Sequence, residues 1–336
     1  MAEIKNSEKT QGYFSVFAAI IGNSFLTVIK FTAWFFSGSS ALFSESVHSF
    51  ADTLNQSLLM IGIRKSKKKA DEEFSYGYGQ ERFLWALISA VGIFFLGSGV
   101  TVYHGINSLA HKESIHINQF TIIVLLVSLI IETITFSTAA RELWKNRNGD
   151  KLKEIFENGD PATIAVIYED GVAVIGILIA ISSIILSSLT KEIFWDSFGS
   201  ILIGVMLGIM AILLIKKNGS FLIKKAIPED MKEKIIEILE ADPVIEKVID
   251  FKSSILDIGS YHIKCEIEFN GPALMKERKF LKEDYESVKD NFEEFKKLIM
   301  EYADRIPRVI GKRIDDIEKK IQKEIPGIEH IDIEIN

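Results

Sequence analysis

Two short runs carry the residue types that could do chemistry. The first, SESVHSFADTLNQ, places His48 and Asp52 four residues apart. On a helix that spacing leaves the two side chains on one face, offset by about 40°. Asn55 falls on the same side. The second run, VIYEDGV, holds Glu169 and Asp170. An imidazole nitrogen combined with carboxylate oxygens suits Zn²⁺, Mn²⁺, Fe²⁺ or Co²⁺, with a tetrahedral preference for zinc. Binding needs a neutral imidazole and ionised carboxylates, so metal and protons compete for the same groups. Glu169 and Asp170 point about 100° apart and do not easily face one point. Asp170 is the candidate ligand. Glu169 is a ligand, a carboxylate supporting one, or a proton carrier. A helix-packing hydrogen-bonded pair is the alternative for His48 and Asp52.

Those residues need a scaffold that gathers them. The chain has 336 residues, 48% hydrophobic and yet 25% charged. Both fit one molecule only if segregated, and Lys and Glu do crowd the last third while long apolar runs fill the rest. A spanning helix needs roughly 20 mostly apolar residues. Six stretches reach that length: Tyr13–Phe36, Ala41–Ile63, Phe83–Ile106, Gln119–Leu143, Ala162–Ser187 and Trp195–Ile215.

Lys and Arg accumulate in short loops that stay cytoplasmic. Arg64, Lys65, Lys67, Lys68 and Lys69 follow the second stretch. Lys145, Arg147, Lys151 and Lys153 follow the fourth, and Lys216, Lys217, Lys224 and Lys225 the sixth. The intervening loops hold only Lys112 and Lys191. Both termini are therefore expected in the cytoplasm. The second helix then runs inward, with His48 roughly 10 Å and Asp52 roughly 16 Å along it. The fifth runs outward, with Asp170 roughly 12 Å along. In a hydrocarbon core about 30 Å thick, all three fall near the midplane. A charged Asp there costs roughly 2.5–3.5 kcal/mol on insertion scales, so these groups call for a functional explanation.

The architecture expected is a membrane all-α bundle of six transmembrane helices, residues 1–220, followed by a cytoplasmic α+β domain, residues 228–336. In the second part Asp230–Ala241 reads as a helix, and Val244–Asp257 and Tyr261–Asn270 read as strands. Two charged helices, Ala273–Asp304 and Arg308–Lys323, and a last strand HIDIEI follow. The single cysteine, Cys265, excludes an internal disulfide. The net charge of -7 comes largely from the tail and implies no nucleic-acid partner. The N-terminal residues have neither the layout of a signal peptide nor that of an Arg-rich transit peptide. No H-E-x-x-H run supports a membrane metalloprotease. The chain is read as a non-enzyme without a cofactor, handling a metal ion as cargo. A membrane metal sensor without net transport is the competing reading.

The sequence resembles the cation diffusion facilitator family, and within it the branch containing zinc transporter nine of mitochondria. The likeness is carried by Asn23 and Lys30, the Gly38–Ser39 turn, HSFADTLNQ, YGYGQERF, VTVYHGI, Glu132, DPATIAVIYEDGVAVIG, DSFGSILIGVMLG, DPVIEKVIDFKS and HIDIEI. The resemblance implies export of zinc or a related metal from the cytosol against protons, by alternating access in a homodimer. It also implies a ferredoxin-like, metallochaperone-like cytoplasmic domain. His48 and Asp52 match the ligands of the second helix, and Asp170 the second ligand of the fifth. Where the commonest family pattern has a His four residues before that Asp, this chain has Val166. Glu169, Asn55 or water is then expected to complete the site. More oxygen and less nitrogen loosens the preference for zinc toward manganese, iron or cobalt. The location expected is a prokaryotic plasma membrane.

Other charges have plainer readings beside the functional one. Glu45 and Asp196 either line an exit or are solvated helix-end charges. Lys30 snorkels or pairs with a carboxylate. Gly204 and Gly208 fit close helix packing. His262, Cys265, His330 and Asp332 lie on strands that could adjoin and bind metal, or simply alternate between solvent and core.

Overall fold

The computed structural model describes residues 2–111, 119–145, 161–276, 285–286 and 288–336. Lys112, Arg147, Lys151, Lys153 and part of the expected Ala273–Asp304 helix lie outside them. The chain divides into two compact units, Met1–Leu222 and Ile223–Asn336.

The first unit is helical. Its helices are α1 (Ala2–Ser37), α2 (Ser40–Ser66), α3 (Glu81–His111), α4 (Gln119–Lys145), α5 (Pro161–Thr190) and α6 (Phe194–Leu222). Five of the six, all but α2, are long and apolar enough to cross a membrane. α2 has the length, 27 residues, but its middle is polar. Its position accounts for that composition, since α2 packs against α1, α3, α5 and α6 and turns its polar residues into the bundle. The lipid-facing character falls instead to residues such as Phe35, Ile130 and Ile209, which are exposed on the outer helices.

Local sequence sets the breaks. α1 ends where Gly38 adopts a positive φ of 67°, a conformation open to glycine without a side-chain penalty. Ser39 then caps α2, its hydroxyl accepting from the Leu42 N–H at 3.2 Å. α3 widens into a π-helical stretch over Ile93–Gly99, at the level where it crosses α2 and α6. The loop before α3 is tied by Lys68, which donates to the Tyr78 hydroxyl at 2.6 Å and pairs with Asp71 at 2.7 Å. That ammonium and the Phe74 N–H hold the Asp71 carboxyl well below the usual range.

The Gly204–Gly208 spacing does bring helices together, on α3. A Cβ at Gly204 would stand 3.0 Å from the Val102 backbone nitrogen and 2.7 Å from its Cγ2. Backbone cannot rotate away as a side-chain tip can. Gly204→Ala is therefore expected to cost about 1–3 kcal/mol through overpacking, read as a lower melting temperature in detergent. Gly22→Ala, inside α1 with nothing within 4 Å of the added Cβ, is the matched control and should hold or raise the melting temperature, since alanine favours the helix over glycine.

The second unit holds a three-stranded sheet in the order β1-β2-β3. β1 (Ile245–Asp257) and β2 (Ser260–Phe269) are antiparallel, and β3 (Ile328–Ile335) runs parallel to β2. The helices are α7 (Glu229–Glu240), α8 (Gly271–Lys276) and α9 (Phe292–Glu324). Ile235 and Leu239 of α7, Ile263 and Ile267 of β2, and Ile317 and Ile321 of α9 form its core. The sequence reading broke the helix between Asp304 and Arg308, but α9 runs unbroken through Pro307. An interior proline removes one backbone bond and crowds the carbonyl four residues back, a cost of about 3 kcal/mol that packing must offset. Ile306, Ile310, Ile314, Ile317 and Ile321 keep helical phase on both sides of it, which favours continuation. Arg313 fastens α9 to the turn before β1 through a paired contact with Asp242, at 2.9 and 2.8 Å.

Candidate cation site

Helix geometry settles first which residues of α2 can act together. His48 is fully buried, and its Nε2 stands 3.6 Å from Asp52 Oδ2. That is an electrostatic approach and too long for a hydrogen bond. Among the described residues neither nitrogen of His48 has a hydrogen-bond partner, and neither does Asp52 Oδ1. The packing pair anticipated as the alternative is thus not made.

Asn55, one turn further, is differently engaged. Its Nδ2 donates to Glu169 Oε1 at 2.7 Å, while its Oδ1 accepts from the Ser89 hydroxyl at 2.7 Å. A chain from α3 through α2 to α5 results, and it aims Glu169 at α2. Asp170, about 100° around the same helix, instead lines a cavity of about 890 Å³ together with Gln56 of α2, Glu132 and Thr135 of α4, and Asn23 of α1. The two adjacent acids therefore serve different surroundings, as their angular separation requires. Val166 lies on α5, one turn before Asp170.

The predicted residues share one region without converging. Asp52 lies within electrostatic range of Asp170, Glu132 and Glu45. Among the described residues, however, no three His, Cys, Asp or Glu side chains stand close enough to hold a metal ion.

Three charges that sequence reasoning treated lightly belong to the same interior. Glu132 is almost fully buried and within electrostatic range of His48 and Asp170. The signal for it was present: a Glu inside the apolar run of α4 is as costly as the acids of α2 and α5. Glu45 and Asp196 are fully buried, which removes the solvated helix-end alternative for both. Helix ends look exposed in a linear reading, but here the turn at Gly38 folds the α2 terminus against α6. Asp196 Oδ1 accepts from Ser39 Oγ at 2.6 Å and Oδ2 from the Ser40 N–H at 2.5 Å. Lys30 does not snorkel. It is fully buried and pairs with Glu45 at 3.2 Å.

The second unit brings three of the four groups noticed there together and sets Cys265 apart. His262 and His330 sit side by side in register, and His262 Nε2 meets Asp332 Oδ2 at 2.9 Å. Cys265 lies on the opposite, buried face of β2, as strand alternation demands. Burial pushes its thiol up to about 12, with the charges of Glu318 and Asp332 adding to the effect. Cys265 should therefore resist alkylation at pH 8 in the folded protein and react once denatured, a difference that mass spectrometry reads directly. The sign on stability follows: the ordinary value is 9.0, so the contribution is complete below that pH and declines above it as the unfolded thiol ionises.

Long apolar helices around a central helix with buried imidazole and carboxylate groups define a multi-pass membrane protein with a polar interior. The sequence comparisons make the class specific. The family profile described as the cation efflux transmembrane domain matches residues 16–223, and this chain belongs to that family. It is 33% identical over 330 residues to the mitochondrial proton-coupled zinc antiporter SLC30A9 of Homo sapiens, covering 95% of this chain and 58% of that protein. It is 34% identical over 331 residues to metal tolerance protein C4 of Arabidopsis thaliana, covering 95% and 72% respectively. It is 23% identical over 232 residues to the cation-efflux pump FieF of Shewanella oneidensis, covering 68% and 72%. The chain thus spans a little over half the length of its human relative, 58%.

Proposed function

We propose that this protein exports a divalent cation, zinc foremost, in exchange for protons. His48, Asp52 and Asp170 are its ligands, and Glu169 and Asn55 shape the site from beside them. The observation that carries the reading is His48. A buried polar group left unbonded costs about 1–3 kcal/mol. An interior imidazole with both nitrogens unbonded among the described residues is retained for a partner that comes and goes. Asp52 beside it supplies an oxygen of the right kind. The names of the SLC30A9 relatives point to the same chemistry.

Proton exchange follows from charge. Carboxylates gathered in a low-dielectric interior repel one another until a cation or protons neutralise them. Among the described residues the ligands stand apart, and in this reading an arriving ion draws α2 and α5 together. Protons on the same groups replace it for the return. In this reading α2 is a sixth crossing, tolerated because its polar face is enclosed. Both termini are cytoplasmic in a prokaryotic plasma membrane, and the carrier works as a homodimer with a ferredoxin-like C-terminal domain. The oxygen-rich ligand set left by Val166 favours a second reading, a manganese, iron or cobalt exporter of the same kind.

Protein reconstituted into vesicles should move Zn²⁺ when a proton gradient is imposed and stop when it is collapsed. Manganese, cobalt and ferrous iron as competitors rank the metals. Failure of every metal to move, with metal still bound, would favour a sensor over a carrier.

A further inference from the structure

The polar face of α2 continues beyond His48. Glu45, His48, Asp52 and Gln56 recur at three- and four-residue intervals and form one stripe. Each has a buried atom with no hydrogen-bond partner among the described residues: Glu45 Oε1, both His48 nitrogens, Asp52 Oδ1 and Gln56 Oε1. At one end the stripe begins on the cavity wall, at Gln56. At the other it is closed beyond Glu45 by the Ser44–Ser200 hydrogen bond and by Asp196 on Ser39 and Ser40.

Among the described residues, Glu45 alone of the four has a lysine ammonium already on it. Lys30 Nζ donates to its Oε2 at 3.2 Å and to Ser49 Oγ at 2.8 Å, with Lys30 and Glu45 both fully buried. The other carboxylate oxygen, Oε1, is directed at Gly176 of α5, where even a Cβ would collide with it. That bare glycine lets the oxygen stand, buried and without a hydrogen-bond partner among the described residues, against the helix that also carries Glu169 and Asp170. A structural ion pair would be expected to satisfy both oxygens, because an unbonded buried acceptor weakens it. This one keeps an oxygen in reserve.

Resting on the reading of His48 and Asp52 as a cation site, we propose that Glu45 is the next station for the transported ion, on the Ser40 side of His48, and that Lys30 is its tethered stand-in. The ammonium sits on Glu45 when the station is empty. A divalent ion arriving from His48 takes Oε1 first and displaces the ammonium, which keeps its bond to Ser49. Two cations do not share one buried carboxylate without repulsion, so Lys30 shortens the ion's stay. The protein thereby holds the ion long enough to pass it on and weakly enough to release it.

The test uses the full-length protein in detergent, with Zn²⁺ alone as the probe, and equilibrium binding as the readout. Lys30→Met removes the competitor and is expected to raise Zn²⁺ affinity about tenfold, a size typical of groups in direct contact. Glu45→Gln is expected to lower affinity below wild type. In the Lys30→Met/Glu45→Gln double variant the gain should vanish, and because both charges leave together that variant retains no unpaired buried charge. Unchanged or lower affinity in Lys30→Met, or a gain that persists in the double variant, overturns the proposal. Where Lys30→Met does not fold, the other two decide. Equal affinities, both below wild type, are expected, and wild-type affinity in the double variant overturns it. The underlying site reading is judged separately: it stands if wild type binds Zn²⁺ and Asp52→Ala does not. A wild type that binds no Zn²⁺ ends both.

Discussion

Asp52→Ala protein in vesicles will show Zn²⁺ flux reduced by roughly 100-fold or more, beyond the 10–100-fold typical of groups that only support a ligand. Among the described residues Asp52 offers the one carboxylate within 4 Å of the buried His48, and its Oδ1 has no hydrogen-bond partner there. Asn55, further along α2 beyond Asp52, is neutral and already held by Glu169 and Ser89, so it does not replace the lost carboxylate. The same substitution is not expected to destabilise the protein. An ionisable group in a bilayer interior is a cost to the fold, and Asp52 makes only a 3.6 Å approach in return. The melting temperature in detergent should therefore hold or rise while flux collapses. Undiminished flux in Asp52→Ala would remove it from the site. Glu169→Ala provides the graded comparison: a loss of roughly 10–100-fold marks it as a support for the ligands, and a steeper loss as a ligand itself.

Asp196→Ala should behave in the opposite way, with stability lost first. Its two oxygens receive the Ser39 hydroxyl and the Ser40 N–H, one of the donors that a helix start leaves without an intrahelical partner. Asp196 itself is fully buried, so water cannot readily replace it. Removing a charged acceptor from such a position typically costs about 2–4 kcal/mol, the lost charge-assisted bonds plus the stranded donors. The measurement is thermal unfolding in detergent, where Asp196→Ala should melt well below wild type. Flux should fall too, because the cap sets where α2 begins and hence how deep Glu45, His48 and Asp52 lie. Asp196→Asn keeps an acceptor for one donor and should recover part of the stability. A variant that melts like wild type would show that the α2 terminus is held by other contacts.

The contrast between these two acids was invisible along the chain. Both are single Asp residues within or beside apolar runs, and both were noticed for that reason. The sequence supplied the interior charges of α2 and α5 through their cost in lipid, the shared face of His48 and Asp52 through the four-residue spacing, and the expectation that Glu169 and Asp170 do not face one point through a 100° argument. The strands and the first helix of the second unit were also legible, because alternation and helical periodicity differ plainly in short segments. The break anticipated between Asp304 and Arg308 was wrong, because a proline inside a strongly periodic stripe removes one backbone bond and leaves the packing face intact.

What the sequence by itself determined is therefore composition-driven: a membrane bundle, a helix with a polar face, and the residue types and phase of the proposed cation site, all of which follow from local periodicity and the expense of burying charge. What only the tertiary structure decided is who meets whom. Lys30 on Glu45, Asn55 on Glu169, and Asp196 on the start of α2 join residues 15, 114 and 156 positions apart. Helical spacing carries no information about such distant partners. The same long-range packing left His48 buried and, among the described residues, unbonded, and that one imidazole is the observation on which the proposed cation site rests.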